Sequence, residues 1–160
     1  MEYLLHILIL INIYIIVGIS LNLVAGYAGL LSLSHAGFYG IGAYTAALLS
    51  LNYGVNFLVA IPVAILVASV AGFLIGFPSL RIRDDMFVIT TFGFQVIIFQ
   101  VMNNWMELTH GPLGLPGIPQ PEFLGYKMTS HIDFVIFTAL FVALVYLIAA
   151  RITRSPFGNV

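Results

Sequence analysis

The chain has 160 residues, of which 61% are hydrophobic and only 7% are charged, whereas a soluble domain usually carries about 25% charged residues. So short a chain cannot bury this much apolar surface in one aqueous core, because small domains bury a limited fraction of their surface. The composition therefore excludes an ordinary soluble domain. The net charge of −1 gives no indication of a nucleic-acid partner, and the absence of cysteine excludes disulfides and thiolate metal sites.

A transmembrane helix needs about 20 apolar residues, with a range of about 17–25. Five segments of the chain meet this requirement. In chain order they are 3–26, 35–51, 57–77, 86–104 and 132–150. The first lacks the positive start of a signal peptide and is too long for its apolar core, so we expect a retained span. The second is the shortest and the richest in glycine, which allows either a full span or a broken, re-entrant helix. The sequence thus predicts an all-α, polytopic transmembrane bundle of about five spans, forming a single transmembrane domain over 1–160.

The arginines indicate the orientation of this bundle. Two follow the third span and two follow the fifth: Arg81, Arg83, Arg151 and Arg154. Because cytoplasmic loops collect lysine and arginine, five alternating spans place the N-terminus outside and the C-terminus inside.

The longest loop, about 105–130, then lies outside the membrane. Its stretch from Gly111 to Pro121 is dense in glycine and proline, which excludes a helix and favours consecutive turns. Such a loop is either a plain connector or a shaped docking surface, and composition leaves both open.

The third span carries small residues at every fourth position. They are Ala60, Ala64, Ala68, Gly72 and Gly76. A ridge of small side chains lets helix backbones approach closely in a membrane. We therefore predict that this ridge packs against another helix.

Polar residues and glycines concentrate in the stretch 18–44, between and within two apolar runs. Paired interruptions of this kind can free backbone and side-chain groups to line a solute path. In the fourth span, Gln95 is the polar residue that lies deepest within the apolar run. The predicted path residues are Asn22, Gly26, Gly29, Ser32, Ser34, His35, Gly37, Gly40 and Gln95. The alternative is that these residues form hydrogen bonds and close contacts that only hold helices together.

Motifs for catalysis, metal binding and ATP binding are missing from the sequence. Ser34 and His35 are adjacent and so do not face each other on a helix, and there is no Gly-x-Ser-x-Gly elbow. The four histidines are scattered without a His-Glu-x-x-His motif, and no phosphate-binding P-loop occurs. We therefore predict no catalytic residue, no metal and no cofactor, and active transport would draw its energy from another chain or from a gradient.

Three parts of the chain resemble a known family. The long stretch 20–44, which contains Leu33-Ser34-His35-Ala36-Gly37, resembles the opening of branched-chain amino acid ABC transporter permeases of the LivH/LivM type. The stretch 80–94, together with Asn103-Asn104-Trp105 and the residues 109–119, is similar to the LivM branch in particular. Finally, Arg154-Ser155-Pro156-Phe157-Gly158 resembles the cytoplasmic segment that follows a span in this family.

The resemblance implies a multi-pass permease subunit of the cell membrane that pairs with a second permease. Two cytoplasmic ATPase subunits and an external substrate-binding protein would complete the importer, which agrees with the missing P-loop. Family members run to nearly twice this length, so the resemblance also implies that the chain is incomplete at its C-terminus.

The leading expectation is therefore import of leucine, isoleucine and valine. Permeases for urea or short amides within the same family are the first alternative. A gradient-driven carrier or channel is the second, although no ionised residue lies well inside a span, which argues against a proton-coupled pump. An intramembrane hydrolase that assembles its site from distant spans is the third.

Overall fold

The computed structural model describes residues 2–27, 29–79, 81, 84–119, 122–123, 126–127 and 130–154. The helices are α1 (Glu2–Asn22), α2 (His35–Tyr53), α3 (Phe57–Ser79), α4 (Asp84–Asn104), the single turn α5 (Met106–Thr109) and α6 (His131–Arg154). The shorter elements are a π-helical turn (Leu23–Tyr27), a 3₁₀ turn (Gly111–Leu113) and two antiparallel strands, β1 (Glu122–Phe123) and β2 (Tyr126–Lys127). The predominance of helix follows from the solvent, because a backbone in lipid must satisfy its N–H and C=O groups internally.

The chain divides into two compact units. The first comprises residues 1–31 and 128–160, and in it α1 packs along α6. An interhelical hydrogen bond, from Asn12 Nδ2 to Thr138 Oγ1 at 3.0 Å, joins these two helices. The second unit comprises residues 32–127, and in it α2 packs against α3 and contacts α4.

Four of the described helices are long and apolar enough to cross a membrane, and they extend over 3–27, 57–79, 86–104 and 131–154. This confirms the predicted polytopic helical bundle. The second predicted span forms the continuous helix α2 but is not among the four. The interruption near it lies before the helix, at the non-helical residues 29–34. Whether α2 crosses the membrane, and which way the bundle is oriented, stay predictions.

The surface of the described residues is apolar, as lipid requires. Large side chains such as Leu66, Ile97 and Leu147 are exposed, whereas the buried apolar residues are mostly alanines. A soluble protein rarely exposes contiguous apolar surface on this scale. Together with its membrane-spanning helices, this surface makes the chain a multi-pass membrane protein.

Local signals fix where α2 ends and α3 begins. Gly54 adopts the left-handed conformation, with φ of 58°, and its N–H returns to the Leu49 carbonyl, an arrangement that glycine allows without a Cβ clash. Two residues later, the Asn56 side chain accepts a hydrogen bond from the Leu58 N–H at 3.3 Å, as asparagine commonly does at a helix start. These two residues set the tight connection that brings α3 back along α2.

Candidate solute path around the start of the second helix

Two serines lie buried where the chain enters α2. Ser32 is 8% exposed and Ser34 is 2% exposed, and their hydroxyl oxygens are 2.9 Å apart. Ser34 precedes the first helical residue, yet its side chain makes no capping hydrogen bond to the helix. The hydroxyl that usually satisfies an N–H of the first turn is instead paired with Ser32.

Helix α4 supplies the missing acceptors. The Gly37 N–H donates to Gln95 Oε1 at 2.6 Å, and the Leu33 N–H donates to Thr91 Oγ1 at 3.2 Å. The first N–H groups of a helix have no partner within the helix, and a backbone N–H can only bind the oxygen of the Gln95 amide. Gln95 of α4 therefore helps to cap the first turn of α2 from outside, and Thr91 holds the residue that precedes the N-cap Ser34.

The glycines of α2 permit this close approach. A Cβ at Gly37 would lie 2.9 Å from Ile98 Cδ1 and 3.0 Å from Gln95 Oε1. At Gly40 it would lie 3.0 Å from Met102 Sδ. Both glycines face α4, so the geometry supports a packing role for them, and a place along a solute path stays a prediction.

Three predicted path residues belong to the other unit. Asn22 ends α1 and is exposed, and a Cβ at Gly26 would lie only 2.7 Å from its Oδ1. Gly26 thus leaves room for the amide of Asn22 beside the π-helical turn, a distortion that frequently occurs at functional sites. Gly29 has φ of +66°, and the next residue, Leu30, donates its N–H to the Val24 carbonyl at 3.2 Å.

The structure therefore gathers the predicted path residues into two groups. Within residues 32–127, Ser32 and Ser34 pair with each other, and Gly37 pairs with Gln95. His35 is the first residue of α2 and is half-buried. Asn22 and Gly26 form the second group, within the first unit.

Thr91 is not among the predicted path residues, but it is one of the polar residues of the fourth span for which the sequence favours hydrogen bonding between helices. It is 2% exposed, and its hydroxyl donates to the Val88 carbonyl at 3.0 Å while accepting the Leu33 N–H. The signal was its spacing from Gln95, because residues four apart share one face of a helix. Two polar residues on one face of an apolar helix indicate a polar neighbour opposite them.

The small-residue ridge of α3 is most tightly packed at its N-terminal end. Ala60 is 0% exposed and Ala64 is 8% exposed. A Cβ at Gly72 would lie in ordinary contact with Phe38 of α2, at 3.9 Å, whereas one at Gly76 would meet nothing within 4 Å. The ridge is thus buried at Ala60 and Ala64, reaches α2 at Gly72 and is open at Gly76.

Among the residues that the structure describes, no cluster of histidine, aspartate and glutamate could hold a metal ion. The hydrogen bonds at this site join hydroxyls, one side-chain amide and backbone N–H groups. Such groups can bind a polar solute or cap a helix. The fold and the site therefore define a polytopic membrane protein with a polar cluster between apolar helices.

Comparison with known proteins identifies the family. The family model described as the permease component of the branched-chain amino acid transport system matches residues 3–160. The chain belongs to this family, which confirms the resemblance seen in the sequence. The family is a class of transport permeases and not of enzymes.

Three relatives show how far the similarity extends. The high-affinity branched-chain amino acid transport system permease proteins LivM of Escherichia coli and Salmonella typhimurium are each 49% identical over 117 residues, which cover 73% of this chain and 28% of theirs. The probable branched-chain amino acid transport permease protein LivM of Methanocaldococcus jannaschii is 27% identical, covering 96% of this chain and 54% of its own. The chain thus spans between about a quarter and about half of these relatives. No solved structure matches it.

Proposed function

We propose that the chain forms part of the membrane-spanning permease subunit of an ATP-binding-cassette importer for leucine, isoleucine and valine. The observation that carries this proposal is the family match over residues 3–160. Relatives that are 49% identical and are named as high-affinity branched-chain amino acid permeases support the choice of solute.

The proposed partners are those of an ATP-driven importer. No P-loop occurs among these 160 residues, whose only lysine is Lys127, so we assign ATP hydrolysis to separate ATPase subunits. A second permease subunit, two cytoplasmic ATPase subunits and an external substrate-binding protein complete the proposed importer.

The polar cluster at the start of α2 suits part of an amino acid path. A zwitterion inside a membrane needs polar partners, while its aliphatic side chain needs apolar walls. The buried hydroxyls of Ser32 and Ser34 provide the first kind of group. Apolar side chains follow along α2, where Ile98 and Met102 of α4 lie against Gly37 and Gly40. Asn22 is the corresponding polar candidate in the first unit.

Reconstituted transport tests the proposal. The chain would be co-expressed with the second permease and the ATPase, purified as the complex and placed in liposomes with the binding protein. We expect uptake of labelled leucine that requires both ATP and the binding protein. Unlabelled isoleucine or valine should inhibit this uptake, whereas urea should not. Uptake of urea alone would support an amide permease, and uptake driven by an ion gradient without ATP would support a carrier.

Two serine-to-alanine variants, measured in the same reconstituted complex, test whether Ser34 lines the path. Ser34→Ala removes a buried hydroxyl, so leucine uptake should fall several-fold while the yield of folded complex and its ATPase rate are kept. Ser69→Ala is the matched control, since Ser69 is exposed and donates only to the Ile65 carbonyl of its own helix. If yield falls in step with uptake in Ser34→Ala, the serine pair is structural and does not line the path.

A further inference from the structure

The start of α2 is held by side chains of another helix and not by its own. Its N-cap residue, Ser34, makes no side-chain cap, and the hydroxyl is paired with Ser32 instead. Oxygen atoms on Thr91 and Gln95, one helical turn apart on α4, accept the N–H groups of Leu33 and Gly37. These two N–H groups lie on either side of Ser34 in the chain.

The two contacts constrain the backbone around the serine pair. The Gly37 N–H is shared between Gln95 Oε1 at 2.6 Å and the Ser34 carbonyl at 3.0 Å. The Leu33 N–H is held at the residue between the two serines. Thr91 is itself fixed, because it is 2% exposed and donates to its own helix at Val88. The segment that carries the two hydroxyls is therefore tied to α4 on both sides of Ser34.

At positions 91 and 95 of α4, the contact with α2 requires an acceptor oxygen and little else. A backbone N–H is one donor and carries no other recognition group. Glycine at position 37 leaves the space in which Gln95 Oε1 sits, since a Cβ there would lie 3.0 Å from that oxygen. A side chain of similar shape without an acceptor would fill this space but leave the N–H without its partner on α4.

We propose that Thr91 and Gln95 are positioning residues, which hold the start of α2 so that the hydroxyls of Ser32 and Ser34 meet the solute in one fixed arrangement. The inference rests on the proposed function, because it assigns these two residues a role in amino acid transport. It differs from the prediction that Gln95 itself lines the path, since the acceptor oxygen of Gln95 is already engaged by Gly37.

Variants that keep or remove the acceptor separate this role from simple packing. Gln95→Glu keeps an acceptor oxygen in either protonation state, whereas Gln95→Met keeps the unbranched shape with only a weak acceptor. Thr91→Ser and Thr91→Val form the second pair, in case a Gln95 variant fails to fold. Thr90→Val is the matched control, because the Thr90 hydroxyl donates to the Met86 carbonyl of its own helix.

Three quantities are measured on the reconstituted complex: folded yield, leucine transported per ATP hydrolysed, and hydrogen exchange of the backbone over residues 32–40. Gln95→Met and Thr91→Val should raise exchange over 32–40 and leave exchange in α6 unchanged. They should also lower leucine transported per ATP about tenfold, since each removes one part-buried hydrogen bond. Gln95→Glu, Thr91→Ser and Thr90→Val should stay within about threefold of the unchanged chain.

Two results would overturn the inference. Unchanged exchange over 32–40 in both Gln95→Met and Thr91→Val would show that α4 does not hold the start of α2. An unchanged ratio of leucine to ATP, or a loss of uptake only in proportion to folded yield, would show that the contacts are structural. If the unchanged chain transports no leucine, the proposed function fails instead, and the exchange result still decides whether the two residues hold α2.

Discussion

The turn that follows α4 depends on two residues with left-handed backbone. His110 and Gly111 have φ of 55° and 57°, a region that costs most residues about 1–2 kcal/mol. Thr109, only 4% exposed, fixes the turn from the side, since its hydroxyl lies 2.8 Å from the Trp105 carbonyl and accepts the Gly111 N–H at 3.3 Å. The chain is thereby folded back against the end of α4.

Of the three glycines Gly111, Gly54 and Gly42, Gly111 should be the one whose replacement by alanine destabilises the protein most. Gly111→Ala should cost about 2 kcal/mol or more of unfolding free energy, because the new Cβ meets both the unfavourable φ and the Asn103 carbonyl oxygen at 2.8 Å. Gly54→Ala should cost about 1 kcal/mol, since its φ is left-handed but its surroundings are open. Gly42→Ala should be neutral or stabilising by up to about 1 kcal/mol, because it lies in an open position within α2.

Thermal unfolding of the three variants in detergent, followed by circular dichroism, would test this order. Gly42→Ala serves as the control for adding a methyl group to the same protein. A variant Gly111→Ala as stable as Gly42→Ala would show that the turn after α4 is not built as described.

For the candidate solute path, the sequence indicated which residues matter but not which of them contact each other. Polar and small residues stand out in an apolar chain, so the positions of Ser34, Gln95 and the glycines of α2 were predictable. Their pairing was not, because Gln95 and Gly37 lie 58 residues apart and meet only once the faces of α2 and α4 are known. The π-helical turn after α1 was also missed, since no residue type specifies it.

At the scale of the helices, the sequence predicted the long helices but not α5 or the 3₁₀ helix at Gly111–Leu113, which lies in a stretch where the density of glycine and proline was wrongly taken to exclude any helix. The apolar runs gave α1, α3, α4 and α6 to within a few residues, since the length of each run is set by the thickness of the membrane. Gly54 and Asn56 then fix where α2 ends and α3 begins. Which face of each helix is buried was harder to predict, because lipid and protein are equally apolar neighbours.

The ridge on α3 should therefore tolerate enlargement unevenly along its length. Ala60→Leu should lower the free energy of unfolding by about 1–3 kcal/mol through overpacking, because Ala60 is 0% exposed. Gly72→Leu should reduce folded yield less, since its Cβ would just reach Phe38 at 3.9 Å. Gly76→Leu should cost least, as its Cβ meets nothing within 4 Å.

Folded yield in detergent, measured by size-exclusion chromatography, would rank these variants. Leu66→Met is the control, because Leu66 is 63% exposed on the same helix and the change conserves volume. Equal yields for Ala60→Leu and Leu66→Met would indicate that the ridge faces lipid.

For the whole molecule, the arginines and α2 give separate information about orientation. Arg81, whose guanidinium lies 4.8 Å from the centre of the Phe77 ring, follows α3, while Arg151 and Arg154 lie in the last turn of α6; Arg83 and the motif residues 155–158 lie outside the described residues. The two membrane-spanning helices α4 and α6 separate these groups, so both fall on one side whether or not α2 crosses. That side is the cytoplasm if lysine and arginine follow their usual bias.

The N-terminus, by contrast, depends on α2. If α2 crosses, three spans separate the N-terminus from Arg81, and the N-terminus lies outside. If α2 is re-entrant, only α1 and α3 intervene, and the N-terminus lies inside.

Labelling of single cysteines distinguishes these two topologies. Because the chain has no cysteine, single cysteines can be introduced by Glu2→Cys, Leu113→Cys and Ser155→Cys. They are then probed in intact cells with a thiol reagent that cannot cross the membrane. We expect labelling at positions 2 and 113 but not at 155, since five spans place the first two outside. Labelling at 113 alone would leave four crossing helices and make α2 re-entrant, whereas labelling at 155 without 113 would reverse the orientation that the arginines predict.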